Sequence, residues 1–404
     1  MKRNKHDSIK AHVACKEFTI LVGARQVGKS TLLKQIAEEL RLEGEIAVFL
    51  NLERKNILDE LDQNPENVFR YIPSEGKRAF VFIDEIQYLK DPSNFLKLLY
   101  DEYADKLKIV ATERSSAFYF DRNFKDSLAG RKKIFELQTL DFDEFLHFKG
   151  RDDLKNELGL MKKNPSYVSV YSDVMDVLFE EYLIFGGYPA VVLETTTKDK
   201  IDKLEEIKYA YIKRDISDSG VQDETRFYRL MILMASQVGN LVNVNELAKT
   251  LSMAVATVDN YLYIMQKCFH VKLAKPFYQN LRKELVKMPK VYFYDLGLRH
   301  SFLNNFNALD LRPDKGQIVE NYVFRRLIQD NQPDQVKFWR TADGNEVDFV
   351  IETELGKGFA LEVKYAEQEF KESKYKKFQE AYPEFSLIWA GMVSKQLKNN
   401  LIRF

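Results

Sequence analysis

Short apolar runs and longer stretches with helical spacing alternate along the first 140 or so residues of the chain. The apolar runs are rich in Val, Ile and Phe, and they lie at 18–22 ("FTILV"), 46–52 ("IAVFLNL"), 78–86 ("RAFVFIDEI"), 107–112 ("LKIVAT") and 133–137 ("KIFEL"). Continuous apolar strands separated by amphipathic helices are typical of a parallel sheet that is covered on both faces. The pattern therefore predicts an α/β domain built on a five-stranded parallel sheet.

The rest of the chain shows two further changes of pattern. From about 141 to 235 only helical spacing is found, and 236–300 reads as short helices followed by the strand-like "KVYFYD". The last hundred residues return to mixed α/β, with a helix near 316–330 and strands at "VKFWR", "EVDFVIE", "FALEVK" and "FSLIWA". We expect four domains, at 1–145, 146–235, 236–305 and 306–404.

Composition narrows the class of protein without deciding its function. The 404-residue chain has 61 Lys plus Arg and 61 Asp plus Glu, so a nucleic-acid contact requires a local basic patch. Its two cysteines, Cys15 and Cys268, form no disulfide framework, which indicates a reducing, cytoplasmic location. The basic N-terminus lacks the apolar core of a signal peptide, and no apolar run is long enough to span a membrane. We therefore expect no membrane partner.

The first candidate site is a glycine-rich loop between the first strand and a helix. Residues 23–30, "GARQVGKS", match the phosphate-binding pattern G-x-x-x-x-G-K-[ST]. Its glycines let backbone N–H groups face phosphate oxygens, Lys29 adds a cation for the β- and γ-phosphates, and Ser30 adds a hydroxyl for Mg²⁺. The predicted cofactors are ATP and Mg²⁺, with ATP and ADP as ligands. The predicted binding residues are Gly23, Ala24, Arg25, Gln26, Val27, Gly28, Lys29, Ser30 and Thr31.

The apolar run at 78–86 ends in Asp84 and Glu85. Acids at the carboxyl end of a parallel strand lie where ligands bind in such sheets. We expect Asp84 to hold Mg²⁺, together with Ser30, and Glu85 to polarise the water that attacks the γ-phosphate.

Further nucleotide contacts are less specific. Thr112, Ser115 and Ser116 are candidate γ-phosphate sensors after the fourth strand, although the serines equally fit a helix N-cap. Arg131 is a candidate charge-stabilising arginine, acting within the subunit or across an oligomer, and a plain surface arginine is the competing interpretation.

The hairpin "EVDFVIETELGKGFALEVK" at 346–364 carries the second candidate site. Side chains alternate along a strand, so a turn at 355 or 356 brings Asp348, Glu362 and Lys364 to one side. Asp348 and Glu362 could then hold Mg²⁺ beside an ammonium, the D…E-x-K arrangement of restriction-type nucleases. The alternative is a charge ladder on a solvated hairpin face, where Glu–Lys pairs are routine.

Residues 243–266 have helix-turn-helix spacing. Leu247, Ala248 and Leu251 would pack on one helix, and Val258, Tyr261 and Leu262 on the next. Residues 254–266 contain no Arg or Lys, whereas phosphate contacts usually dominate DNA affinity. A packing module is therefore favoured over a DNA reader, and nearby basic residues (Lys272, Lys275, Arg282, Lys283, Lys287) could still form a wing or simply solvate a hairpin.

Taken together, the motifs "VGARQVGKSTLL", "FIDEIQ", "SLAGRKKIFEL", "YLIFGGYPAVV", "YIKRDI", "PKVYFYDLGL" and "EVDFVI…LEVK" resemble a widespread prokaryotic family of AAA-type P-loop ATPases. The resemblance covers nearly the whole chain and implies an ATPase core, a helical region, a winged helix and a restriction-endonuclease-like domain of the PD-D/E-x-K type. Glu320, on the predicted helix, would supply a further acid ligand. One departure concerns "TERSS", where family members have "TGSS".

Two functions follow from these expectations. In the first, ATP hydrolysis is coupled to nucleic-acid processing, with DNA as a candidate partner. In the second, the protein is a nucleotide-dependent switch whose C-terminal domain only binds a partner. A homo-oligomer stays open in both.

Overall fold

A computed structural model of the protein describes residues 1–73, 76–114, 128–164, 167–218, 221, 223–278, 287–366 and 369–393. The chain divides into two compact units, the first comprising 1–138 with 267–269 and the second 139–266 with 270–404. The four-domain division stays a prediction.

The first unit is built on a five-stranded sheet in the order β2-β3-β4-β1-β5, with all neighbouring strands parallel. Its strands are β1 (Phe18–Gly23), β2 (Ile46–Asn51), β3 (Ala79–Asp84), β4 (Leu107–Arg114) and β5 (Lys132–Glu136). Both β1 and β3 are buried along their whole length, as expected for central strands covered on both faces. The predicted P-loop NTPase α/β fold is confirmed.

Within the described part of this unit, the α-helices are α1 (His6–Val13), α2 (Lys29–Leu42), α3 (Lys55–Gln63) and α4 (Pro92–Tyr103). Short 3-10 helices lie at Pro65–Tyr71 and Ile86–Tyr88. Helix α2 buries one apolar stripe at Leu32, Leu33, Ile36, Ala37 and Leu40. That stripe fixes α2 against the sheet directly after the glycine-rich loop.

The second unit begins with a helical region, as predicted. Its helices lie at Phe142–Phe148, Asp152–Lys163, Ser172–Phe185, Pro189–Val192, Thr197–Asp218, Glu224–Ser236, Val244–Leu251, Val255–Lys267, Leu296–Leu303 and Lys315–Asp330. The predicted helix-turn-helix spacing matches the pair Val244–Leu251 and Val255–Lys267, joined through Ser252 in the left-handed conformation (φ 51°). Leu247, Ala248, Val258, Tyr261 and Leu262 are buried, whereas Leu251 is only partly so.

Two small sheets are found among the described residues of the second unit. Strands β6 (Val271–Ala274) and β7 (Lys290–Phe293) form an antiparallel pair. Strands β8 (Lys337–Arg340), β9 (Glu346–Glu354), β10 (Lys357–Ala366) and β11 (Phe385–Val393) form a mixed sheet in the order β11-β10-β9-β8. Short helices at Leu309–Leu311, Glu372–Tyr375 and Lys376–Ala381 flank it. The predicted C-terminal mixed α/β architecture is confirmed.

The helix Lys315–Asp330 is anchored by a buried arginine. Arg325 donates to the Tyr182 hydroxyl (2.6 Å) and to the backbone carbonyls of Thr139 (2.6 Å) and Leu140 (2.7 Å). A buried guanidinium with several acceptors is held in one geometry, since losing any of them would leave a charged donor unsatisfied. The orientation of this helix, and hence of Glu320 on it, is therefore fixed within the second unit.

Within the described ranges, we find no helix that combines the length and apolar character needed to cross a bilayer.

Candidate functional site

The glycine-rich loop runs from the end of β1 to the start of α2, and two of its glycines are sterically required. A Cβ atom on Gly23 would lie 2.0 Å from the Leu137 carbonyl oxygen. Gly28, with φ 95°, is in the left-handed region and precedes the first residue of α2. The loop thus has the strand–loop–helix setting that a phosphate-binding loop needs.

The remaining loop positions are arranged around the same turn. Lys29 is buried, and its Nζ donates to the carbonyls of Gly23 and Ala24, both at 2.7 Å. Gln26 has a positive φ of 59°. Ala24 and Val27 are buried, Arg25 is partly exposed, and Thr31 is exposed at the start of α2. The predicted residues therefore form one continuous segment from the end of β1 to the first turn of α2, and the Lys29 ammonium is hydrogen-bonded to two carbonyls of that segment.

Three side chains from three elements meet next to the loop. The Ser30 hydroxyl of α2 donates to Asp84 Oδ1 of β3 at 2.8 Å. The Thr112 hydroxyl of β4 donates to the same oxygen at 2.5 Å. These groups offer hydroxyl and carboxylate oxygens, the ligand type that Mg²⁺ prefers. The predicted Mg²⁺ residues Ser30 and Asp84 are thus brought together, and Thr112 joins them.

Glu85 occupies an unusual backbone position. Its φ of 62° is in the left-handed region, and its backbone N–H donates to the Thr112 hydroxyl at 2.9 Å. Its carboxylate accepts a hydrogen bond from Gln87. Left-handed backbone at a non-glycine residue costs free energy and is concentrated at functional sites. The chain therefore turns sharply at Glu85, directly after β3, at the carboxyl end of the sheet where the glycine-rich loop lies.

Arg131 lies elsewhere. It directly precedes β5, its carbonyl accepts from the Phe18 N–H at the start of β1, and its guanidinium pairs with Asp101 at 2.6 Å. Because β1 and β5 are parallel, Arg131 sits at the sheet edge opposite the glycine-rich loop. The interpretation of Arg131 as an arginine acting on the nucleotide of its own subunit is therefore wrong in this geometry. A role across an oligomer stays a prediction.

The sensor region is only partly described. Ser115 and Ser116 lie outside the described residues. The fourth strand does not end at Thr112 as expected but continues through Arg114, with Glu113 buried and paired in register with Val22. Glu113 and Arg114, the first two residues at which "TERSS" departs from "TGSS", are therefore part of β4 and pair with β1.

Sequence reasoning missed Arg3. Its guanidinium is buried and donates to the carbonyl of Val27 in the glycine-rich loop (2.6 Å) and to that of Gln138 (2.8 Å). It therefore ties the loop to the chain that follows β5. No local motif signals such a contact, since Arg3 and Val27 are brought together only by the fold.

The hairpin of the second unit turns at Leu355 and Gly356, as expected, and Leu361 of β10 pairs with Phe349 of β9. The next position places Glu362 beside Asp348, whose Oδ2 accepts from the Val363 N–H at 2.8 Å. Asp348 and Glu362 are only 8% and 4% exposed. The alternative of a solvated charge ladder is therefore wrong, because these carboxylates are buried.

A second lysine, not foreseen, enters this carboxylate centre from β7. Lys290 Nζ lies 3.0 Å from Glu320 Oε1, 2.5 Å from Glu346 Oε1 and 3.7 Å from Asp348 Oδ1. The Tyr292 hydroxyl donates to the same Glu320 oxygen at 2.6 Å. Burial by itself lowers the pKa of Lys290, but the three carboxylates raise it above its ordinary value. Lys290 is therefore held as a charged ammonium.

Glu362 interacts with Lys364 and with the Tyr375 hydroxyl. Its Oε1 pairs with Lys364, and its buried Oε2 has no hydrogen-bond partner. Burial and the neighbouring Asp348 charge raise the pKa of Glu362, and the same two causes raise the pKa of Glu320. Asp348, Glu320, Glu362 and Lys364, all predicted from the sequence, are therefore brought together.

The missed members of the centre carried a weak signal. Glu346 is two residues before Asp348, and Tyr292 is two residues after Lys290, so each pair shares a strand face. Strand alternation could have suggested these pairs, but not that the two faces meet.

The helix Val255–Lys267, in contrast, offers no cation before its last residue, and Arg282 and Lys283 lie outside the described residues. Lys272 forms an ion pair with Asp334 at 2.6 Å.

Three segments of the chain match models of protein families. Residues 16–146 match the family model described as an AAA domain. That segment contains every predicted nucleotide residue, so the first unit carries an AAA-type P-loop domain. Residues 176–309 and 315–401 match two domains of unknown function, DUF8612 and DUF4143. These two matches leave the chemistry of the second unit open.

Several curated proteins are similar over most of the chain. An uncharacterized protein of Haemophilus influenzae is 25% identical over 343 residues, covering 82% of this chain and 78% of that protein. One of Mycobacterium tuberculosis is 25% identical over 348 residues, covering 85% and 69%. An "uncharacterized ATP-binding protein" of Methanocaldococcus jannaschii is 27% identical over 179 residues, covering 40% and 46%.

Among solved structures, Orc1 of Aeropyrum pernix in complex with DNA matches with 10% identity and a TM-score of 0.33, covering 76% of this chain and 93% of that one. AMPPCP-bound DnaA of Aquifex aeolicus matches with 17% identity and a TM-score of 0.29, covering 65% and 86%. At TM-scores this low, neither likeness supports a statement about this chain.

Proposed function

We propose that the first unit binds ATP with Mg²⁺ and hydrolyses it. The observation that carries the proposal is the meeting of Ser30, Asp84 and Thr112 beside the glycine-rich loop, with Glu85 adjacent. Loop N–H groups and Lys29 would bind the phosphates, with Lys29 exchanging its bonds to the Gly23 and Ala24 carbonyls for phosphate oxygens. Ser30 and Asp84 would hold Mg²⁺, which neutralises charge on the phosphates.

Hydrolysis then requires an activated water. A bond forms between the water oxygen and the γ-phosphorus while the bond from that phosphorus to the bridging oxygen breaks, which releases ADP and phosphate. Glu85 would accept the proton of the attacking water. The hydrogen bond from Glu85 N–H to Thr112 fixes the carboxylate-bearing residue relative to Asp84.

Nucleotide titration of Lys29→Ala tests the binding claim. We expect the Kd for a fluorescent ATP analogue to rise by about 100-fold, the loss of charge-assisted bonds to phosphate. Lys34→Ala, an exposed lysine of the same helix, is the matched control and should bind like wild type. Unchanged affinity in Lys29→Ala would show that the glycine-rich loop is not the nucleotide site.

For the second unit we propose a divalent-cation centre that cleaves nucleic acid under control of the nucleotide state. The unpartnered, buried Oε2 of Glu362 favours it, since a carboxylate oxygen without a donor fits a cation ligand. Asp348 and Glu362 would hold the cation, and Lys364 would stabilise charge on the phosphate. The names winged helix for 236–305 and nuclease-like domain for 306–404 belong to this proposal. We also propose that the protein is cytoplasmic and forms a homo-oligomer.

Plasmid or branched DNA, incubated with full-length protein and Mg²⁺ or Mn²⁺, with and without ATP, tests this second function. We expect metal-dependent cleavage that Asp348→Ala abolishes and that Glu354→Ala, an exposed acid of the same strand, retains. Absence of cleavage by wild type under every condition would favour the alternative, a nucleotide-dependent switch whose C-terminal domain binds a partner without cutting. Cleavage retained by Asp348→Ala would place the activity elsewhere.

A further inference from the structure

Lys290 is the most deeply buried charged member of the carboxylate centre, with a side chain only 2% exposed. Its ammonium contacts Glu320 and Glu346 at 3.0 and 2.5 Å, while Asp348 Oδ1 is farther away at 3.7 Å. It also lies 5.5 Å from the centre of the Phe338 ring, so one side of it is apolar. A buried ammonium in this setting is stable only while it keeps its carboxylate partners.

We propose that Lys290 is a resident cation of the centre, which engages Glu320 and Glu346 and leaves Asp348 and Glu362 as the carboxylate ligands of a single divalent cation. This inference rests on the proposed cation centre of the second unit. In the sequence analysis, Glu320 is a further metal ligand. In the present inference, it is the partner of Lys290 instead.

The Glu320–Lys290 pair is built into the fold rather than formed by chance. Asn321, the next residue of the helix, accepts from the Phe293 N–H (2.7 Å) and donates to the Phe293 carbonyl (2.9 Å). These two bonds lock the helix to β7, the strand that carries Lys290 and Tyr292. Glu320 Oε1 accepts from two donors, Lys290 and Tyr292, and both lie on β7.

Glu346 is engaged on both oxygens, whereas Lys290 and Tyr292 both contact the same oxygen of Glu320, Oε1. Glu346 Oε1 contacts Lys290, and Glu346 Oε2 accepts from Arg340 at 3.0 Å. Two carboxylates of the centre thus have cationic partners from the protein itself. Neither needs a metal ion for charge compensation.

The other two acids are not held closely by Lys290, since even Asp348 Oδ1 lies 3.7 Å from its ammonium. Asp348 Oδ2 accepts from the Val363 N–H, and its Oδ1 faces the centre. Glu362 Oε1 pairs with Lys364, and its Oε2 has no partner. One oxygen from each acid is therefore left for a hard cation, which would complete its shell with water or substrate oxygens.

Mn²⁺ titration of the full chain, monitored by electron paramagnetic resonance, tests the assignment. Every protein carries Asp84→Asn and is kept free of nucleotide, which suppresses Mn²⁺ binding at the glycine-rich loop. Only binding that Glu362→Gln weakens is assigned to the carboxylate centre, because His12, Cys15 and Glu17 of the first unit also lie close enough together to hold a metal ion. We expect one Mn²⁺ per chain, with affinity at least about tenfold weaker in Glu362→Gln. In Lys290→Met, affinity rises by at least about tenfold, because a nearby positive charge is lost and Glu320 becomes free to ligate.

The double variant Lys290→Met/Glu320→Gln is the decisive control, since it removes both charges of the pair, while Glu346 keeps its ion pair with Arg340. We expect it to bind one Mn²⁺ within about threefold of the wild-type affinity. A loss of tenfold or more would identify Glu320 as a metal ligand and overturn the inference, as would unchanged affinity in Lys290→Met. If no Glu362-dependent Mn²⁺ binding occurs even with Lys290 intact, the proposed cation centre itself fails. Thermal unfolding verifies that each variant is folded.

Discussion

The two candidate sites are constructed in opposite ways. The nucleotide site of the first unit uses a contiguous eight-residue motif, whose glycines and backbone geometry do much of the work, and adds single residues from the ends of β3 and β4. The carboxylate centre of the second unit has no contiguous motif. It gathers side chains from β7, β9, β10 and the helix Lys315–Asp330, and long-range ion pairs hold them together. A site of the first kind can be read locally, whereas one of the second kind exists only after folding.

The largest expected effect separates catalysis from binding in the first site. Replacing Glu85 by Gln should lower the rate of phosphate release by about 100-fold or more, because the general base is lost, while nucleotide affinity is kept. Coupled-enzyme phosphate release and a binding titration measure the two quantities. Glu102→Gln, an exposed acid on α4, should change neither. A wild-type hydrolysis rate in Glu85→Gln would assign the base elsewhere.

Backbone dependence of the first site is tested at Gly23. Gly23→Ala should destabilise the protein by about 2–4 kcal/mol, because the new Cβ would overlap the Leu137 carbonyl. Gly44, also at positive φ but with open space around it, is the matched control. Its replacement by Ala should cost only about 1 kcal/mol. Chemical denaturation gives both values, and equal costs would contradict the close approach at Gly23.

Dependence of the second site on long-range contacts is tested at Tyr292. Tyr292→Phe removes the hydroxyl that donates to Glu320 and should reduce the free energy of unfolding by about 1–2 kcal/mol, since a buried acceptor loses a donor. Nucleotide binding should be unaffected. A stability equal to wild type would show that the Glu320 network contributes little to folding of the second unit.

The smallest effect concerns a long-range contact in the otherwise local first site. Arg3→Gln removes the charged donor to the Val27 carbonyl and should weaken ATP binding by about threefold to tenfold, through loss of order in the loop. Lys5→Gln, which loses an exposed contact to the Glu136 carbonyl, serves as control. If Arg3→Gln and Lys5→Gln both bind ATP as tightly as the wild type, long-range contacts contribute nothing to nucleotide affinity. The two sites then differ more strongly than the structure indicates.

Sequence reasoning succeeded where chemistry follows chain order. The five strands, the phosphate-loop geometry and the meeting of Ser30 with Asp84 could be predicted, because carboxyl ends of parallel strands converge on one edge of the sheet. The hairpin register was also foreseeable from its turn. The prediction for Arg131 failed because this residue directly precedes β5 and therefore lies at the amino end of the parallel strands, a position that the predicted strand at 133–137 already implied. Lys290 was missed because its carboxylate partners are 30 residues or more away in sequence.

By itself, the sequence determined the α/β class, the phosphate loop with its acids and the alternation that aligns Asp348 with Glu362, since these depend on spacing along one strand or across one short turn. Tertiary structure alone decided that Asp348 and Glu362 are buried, that Lys290 and Tyr292 share the oxygen of Glu320, and that Arg3 supports the phosphate loop. The physical reason is that burial and ion pairing depend on which distant segments fill the space around a side chain, and periodicity describes only the segment itself.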